Sequence, residues 1–239
     1  MEIKISQKLL EEYRKYDLKK NFGWGSFENC PISIPNKYSN FDKNIHLREN
    51  FHTKLDSDNY LNGAYWIIRD WGGIRSFQKN DKNDELLKKF REKLKTNPSK
   101  LLKSEFETIS SLSKVASFLM PYDYAIYDSR VIYSLNWFIF IFGLDSKFYP
   151  QPIGRNAELE QFDQKTIFNL SGKEVEYYDK KEAYPKYCKL LKETATLEND
   201  IKIYNLEMFL FSIAPTIIRE NIKNTVSISV KKEVKIEYK

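Results

Sequence analysis

This chain is poor in the residues that bind metals or cross-link a fold. Its 239 residues include two cysteines and two histidines. Cys30 and Cys188 lie far apart, so a disulfide framework is not expected and a reducing compartment is the default. Two cysteines are too few for a four-cysteine iron–sulfur cluster. His46 and His52 are six positions apart, which does not suit one helical face, so a zinc site is not expected and surface or loop positions are. Glycine is scarce, at eight residues. No Gly/Ser/Pro-rich linker and no internal repeat divides the chain. The longest apolar run, Val131 to Leu144, is too short to span a bilayer and contains Asn136, so it reads as a buried core helix. The opening residues, Met-Glu-Ile-Lys-Ile-Ser, do not form a signal peptide. These absences predict a soluble, cytoplasmic protein without a zinc or iron–sulfur site.

What is present is enough for a substantial core: 41% hydrophobic residues, 15% aromatic ones and a 30% charged fraction. The length suits one large domain or two small ones. We read a single unit over 1–239. The net charge of +6 leans toward a polyanionic partner, although many basic proteins bind no nucleic acid.

Helical periodicity dominates. Ser6 can cap a helix bearing Leu9, Leu10, Tyr13 and Tyr16. Residues 21–56 read as irregular, with Gly23, Gly25, Pro31 and Pro35. From 57 to 223 the pattern predicts a helical core. Ser57 caps a helix that Gly72-Gly73 ends, Asp84 opens another, and Asn97-Pro98 stops it. A helix from about Ser99 toward Ile109 follows, then the short helix of Lys114, a turn at Pro121, and a helix from Asp128 to Gly143. A short hairpin at Ser171-Gly172-Lys173 and helices over 182–197 and 203–223 complete the core. Strict alternation at Ile3 and Ile5, and again at Val226, Ile228 and Val230, predicts a small terminal sheet from 1–6 and 225–239.

The most informative stretch is Lys114-Val-Ala-Ser-Phe-Leu-Met-Pro-Tyr-Asp-Tyr-Ala-Ile-Tyr-Asp128. It places a lysine on an apolar helix, a proline turn, and an aspartate before a second apolar helix. Asp128 ahead of Ser-Arg-Val-Ile suits an N-cap; a capping carboxylate is also held rigidly at a helix mouth, where it can face a developing positive charge. Lys114 suits a snorkelling surface lysine; partial burial would instead lower its pKa and leave a nucleophilic amine.

The stretch resembles the helix-hairpin-helix DNA glycosylases, most closely the 8-oxoguanine DNA glycosylase branch. Ser113-Lys114-Val115-Ala116 matches a Lys-Val-Ala helix start, and Ile126-Tyr127-Asp128-Ser129-Arg130-Val131 matches a Val-Asp-x-x-Val start. It is more similar still to mostly bacterial proteins described as having the 8-oxoguanine glycosylase fold. Pro152-Ile-Gly-Arg-Asn156 and Glu207-Met-Phe-Leu-Phe211 extend that resemblance, which spans about 60–215. It implies a mainly α body, Lys114 as amine nucleophile and Asp128 as the assisting carboxylate. It implies excision of a damaged or modified base flipped out of duplex DNA, with a lyase step through the imine and no need of a metal or organic cofactor.

The match has departures. The family hairpin carries Leu-Pro-Gly-x-Gly, whose glycines let backbone amides approach a phosphate; here the place reads Thr108-Ile-Ser-Ser-Leu-Ser113. The loop between Lys114 and Asp128 is shorter. Phe118 stands where the enzymes have a small pocket residue. Candidate DNA contacts are the hydroxyls of Ser110, Ser111 and Ser113, the basic residues Lys88, Lys89 and Lys95, and Arg155, which equally suits a turn. Phe118, Tyr127 and Trp137 are candidate base-pocket residues. A non-catalytic nucleic-acid-binding protein of the same fold, or a protein-interaction module in bacterial defence or stress response, remains open beside the enzyme.

Overall fold

The structure is a computed structural model and describes residues 2–55, 59–96, 98–144, 146–153 and 157–227. It is mainly helical. The chain opens with α1 (Glu2–Arg14), α2 (Leu18–Asn21), α3 (Asn40–Asn50), α4 (His52–Leu55) and α5 (Tyr60–Tyr65). The last runs directly into a π-helical turn, Trp66–Trp71, that stops at Gly72. Next come α6 (Asp81–Leu94), α7 (Lys103–Glu107), α8 (Ile109–Leu119) and α9 (Ser129–Ile141). The remainder is α10 (Ala157–Glu160), α11 (Gln164–Leu170), α12 (Lys180–Thr196), α13 (Ile203–Ile213), a second π-helical turn at Ala214–Ile218, and α14 (Arg219–Thr225).

The centre of the molecule is α9. Every residue from Val131 to Ile139 is buried, as expected for a helix apolar on all sides. It packs mainly against α13, another almost wholly buried helix. Two buried polar side chains of α9 find backbone partners. Asn136 clamps the backbone of Tyr149, donating to its carbonyl and accepting its N–H, both at 2.8 Å, and Ser134 donates to the Leu210 carbonyl at 2.7 Å. Pro215 follows α13 within the second π-helical turn, where a missing N–H disrupts the regular ladder.

Several local expectations are corrected. No strand forms among the described residues, and the β structure is one bridge, Phe148 with Tyr177. Residues 2–6 are the first turns of α1, not a strand. Ile5, Leu9 and Leu10 share a buried helical face against α12, so a two-residue alternation loses to a helical repeat that buries more surface. Ser6 lies within that helix, accepting from Thr194 Oγ1 at 2.8 Å. Residues 228–239, the rest of the expected sheet, lie outside the described residues, as does Ser57, the expected cap. Of the segment 21–56 read as irregular, Asn40–Asn50 and His52–Leu55 are α3 and α4. Ser39 caps α3, its hydroxyl accepting the Asp42 N–H at 3.1 Å, a cap followed three residues later by an acid. Asn80, not Asp84, caps α6 through the Asn83 N–H at 2.9 Å. Ser171-Gly172-Lys173 forms the turn that ends α11, with Gly172 at φ +70, rather than a hairpin. His46 and His52 sit on α3 and α4.

Candidate functional site

Three segments meet around Lys114. The first is α8, which follows α7 with Thr108 alone between them. Thr108 takes a bridge conformation, φ −113 and ψ 16, and its carbonyl accepts the Ser111 and Leu112 N–H groups at 2.9 and 3.1 Å. The expected serine hairpin is therefore the first turn of a continuous helix. Lys114 is its sixth residue, not its start. The second segment is the turn at Pro121 and the extended stretch to Asp128. The third is the end of the first π-helical turn, at Gly72.

Lys114 is only 4% exposed. Its Nζ donates to the Ser110 carbonyl at 3.0 Å. Burial holds the amine below its ordinary range, and the nearby Arg48 charge pushes the same way, while Asp128 and Glu207 oppose them. Asp128 is the N-cap of α9, accepting the Val131 N–H at 3.1 Å. Both roles read for it in the sequence are compatible: one oxygen caps the helix while the residue borders the cleft.

Lys114 and Asp128 line one cleft of about 680 Å³. Ser110, Ser111, Ser129 and Arg130 line it as well, with Trp24, Phe77 and Phe211 supplying aromatic wall. Trp24 and Phe211 meet edge to face at 5.1 Å between ring centroids. The Arg130 guanidinium lies over both rings, at 5.6 and 5.0 Å, within cation–π range. A lysine at the floor, a carboxylate at a helix mouth and aromatic wall beside a guanidinium can together hold a planar group and offer an amine to an electrophilic carbon.

The other sequence candidates fall elsewhere. Phe118 is fully buried, edge-on to Trp71 and Phe51 at 4.8 and 5.8 Å. Tyr127 is fully buried, donating to the Pro150 carbonyl at 2.7 Å. Trp137 donates to Asn221 at 2.8 Å and stacks on Phe168. None of the three lines the cleft; they are core. Ser113 is also fully buried, its hydroxyl accepting the Tyr127 N–H at 2.9 Å, so it fixes the Asp128 segment and offers nothing to a phosphate. Lys88, Lys89 and Lys95 are exposed, on or just after α6, and do not line the cleft. Lys89 pairs with Glu85 at 2.6 Å and Lys95 with Glu92 at 2.8 Å. Arg155 lies outside the described residues.

Trp24 and Phe211 were not singled out from the sequence. Trp24 stands in the glycine-flanked segment Phe22-Gly-Trp-Gly25, and an indole in an irregular, polar stretch is the signal that marks it. Phe211 closes the Glu207–Phe211 run.

A larger cleft, of about 920 Å³, opens on another side of α9, with Ser129 bordering both. No group of three or more His, Cys, Asp or Glu among the described residues could hold a metal ion, and no helix among them is long and apolar enough to cross a membrane. Comparison of the chain with protein-family models, with curated proteins and with solved structures finds no match.

Proposed function

We propose that this chain is a DNA base-excision glycosylase of the helix-hairpin-helix type, acting through Lys114. The observation that carries the reading is a buried lysine amine, held below its usual pKa, at the floor of a cleft that a helix-capping aspartate also borders. A lysine serving only the surface would extend into water. A neutral amine is a nucleophile, and burial is what makes one available near neutral pH.

The target nucleotide is flipped out of the stack, because its anomeric carbon is otherwise out of reach. Trp24 and Phe211 offer faces for the base, and Arg130 a charge for the backbone. The Lys114 nitrogen bonds to C1′ as the glycosidic bond breaks and the base leaves with the bonding pair. Asp128 takes a proton from the nitrogen and offsets the positive charge that builds on the sugar. Opening of the sugar ring then gives an imine between Lys114 and C1′. Loss of a C2′ proton expels the 3′ phosphate by β-elimination, nicking the strand.

A second reading, a nucleic-acid-binding or protein-interaction module of the same fold without catalysis, is favoured by one feature: no glycine stands at the α7–α8 junction to let backbone amides close on a phosphate. A panel of duplexes, each with one damaged or modified base, separates the two. The enzyme releases a base from at least one duplex, and borohydride reduces its imine to a stable protein–DNA adduct that Lys114→Gln does not form. Binding without release or adduct across the panel supports the module.

A further inference from the structure

Behind the cleft lies an ion pair that the proposed reaction does not use. Arg48 on α3 and Glu207 on α13 are 1% and 3% exposed. Arg48 Nη2 donates to both oxygens of Glu207, at 2.8 and 3.2 Å. Its Nη1 donates to Ser117 Oγ, and Ser117 Oγ donates to the Lys114 carbonyl at 2.9 Å. From the other side, Glu207 Oε2 accepts the Ile126 N–H at 3.3 Å, two residues before Asp128. One carboxylate is thus tied, directly or through Arg48 and Ser117, to both segments that carry the amine and the carboxylate of the cleft.

Stability is a poor account of this pair. Burying two charges costs more than their attraction commonly returns, and apolar replacement is often neutral or stabilising. Arg48 Nε has no hydrogen-bond partner among the described residues. The guanidinium lies against the Phe118 and Trp71 rings, at 4.6 and 5.4 Å. Its charge and that of Glu207 act on the Lys114 amine in opposite senses, Arg48 favouring loss of its proton and Glu207 favouring retention.

We propose that Arg48 and Glu207 are positioning residues of the cleft, holding the Lys114 and Asp128 segments together and setting the charge on the Lys114 amine through space. The proposal rests on the reading of Lys114 as the reactive group. Glu207 faces Arg48 from α3, Lys114 from α8, Asp128 at the head of α9, and Tyr187 and Cys188 from α12; Arg48 also faces Tyr187 and Tyr204. Burial pushes the Glu207 carboxyl up to about 7. Protonation of Glu207 would remove one of the two carboxylates that hold a proton on the amine.

The test titrates the full-length protein without DNA, following lysine side chains by NMR with 13Cε-labelled lysine. Lys114→Met identifies the Lys114 signal. Glu207→Gln should lower the Lys114 midpoint by about half a pH unit or more, because Arg48 is left unopposed. Arg48→Met/Glu207→Leu removes both influences and should bring it back toward the wild-type value. A lowered Tm with an unmoved Lys114 midpoint in Glu207→Gln would show a purely structural pair and overturn the proposal. If Glu207→Gln does not fold, the wild-type curve decides: the Lys114 signal must carry a second inflection from Glu207, and a single inflection overturns the proposal. The titration needs no substrate, so a shifted midpoint in a protein that releases no base would sink the glycosylase reading and leave this device standing.

Discussion

Gly72 and Lys114 touch so closely that no side chain fits between them. A Cβ on Gly72 would lie 2.7 Å from the Lys114 Cδ and 2.7 Å from the Ile67 carbonyl oxygen. The first contact involves a flexible stem that can move, whereas the second is backbone and cannot. The end of the π-helical turn therefore passes beside the stem of the buried lysine at a position where only glycine leaves room. Gly72 itself has φ −85, so its need for glycine comes from space, not from backbone conformation.

Gly72→Ala should lower stability by about 1–3 kcal/mol through overpacking and displace the lysine stem. Chemical denaturation measures the first effect. A changed Lys114 signal in a lysine-labelled spectrum reports the second. Gly73→Ala serves as the comparison, since nothing stands within 4 Å of its Cβ position; its cost there is the backbone strain of φ +70.

Lys114→Met should stabilise the fold near neutral pH. The amine's midpoint in the folded protein lies below its ordinary value of 10.5. Between those two values the unfolded chain holds more protons than the folded one, so wild-type stability rises with pH there. The lysine's contribution is complete above 10.5 and is lost as pH falls through the folded midpoint. The stability difference between Lys114→Met and wild type should be largest at the acid end and shrink as pH approaches 10.5. The change should amount to about 1.4 kcal/mol for each pH unit that separates the folded and unfolded midpoints. A difference that stays flat over that range would show the lysine titrating normally.

Much of the helical architecture was legible in the sequence. Asp128 as a cap, Gly143 and Gly72 as stops, and the buried Val131–Ile139 run all follow from capping chemistry and periodicity. The two residues that define the candidate site, Lys114 and Asp128, were legible because both lie within one local stretch, and the structure places them on one cleft. Its walls were not. Trp24, Phe211, Arg48 and Glu207 reach the cleft or its support from segments far away in the chain, and nothing local distinguishes a core phenylalanine such as Phe118 from a wall phenylalanine such as Phe211. The N-terminal alternation misled because Ile3 and Ile5 fit a period of two while the longer series Ile5, Leu9 and Leu10 fits a helix.

Trp24→Ala and Phe211→Ala should each weaken binding to DNA carrying an extrahelical base by about 1–3 kcal/mol, the range for loss of one stacking partner. Affinity for undamaged duplex should change far less. Equal loss on both ligands would place these rings on the backbone path and not around a base.

Salt dependence separates the charges. Lys89 and Lys95 already pair with Glu85 and Glu92. Replacing Lys88, Lys89 and Lys95 together should therefore reduce the slope of log affinity against log salt by well under the roughly 2.7 expected for three phosphate contacts. Arg130→Ala, at the cleft, should reduce it by about 0.9, the value for one contact. A full three-contact loss in the triple variant would move the DNA path onto α6.

The central claim is that the Lys114 amine attacks a sugar carbon. Its most direct test is borohydride reduction of the protein on a duplex with one abasic site, followed by peptide mass spectrometry of the adduct. The account predicts a single adduct on the peptide containing Lys114, absent in Lys114→Gln and slowed in Asp128→Asn although DNA is still bound. An adduct of equal yield in Lys114→Gln, or one spread over surface lysines such as Lys88 and Lys89, would contradict it.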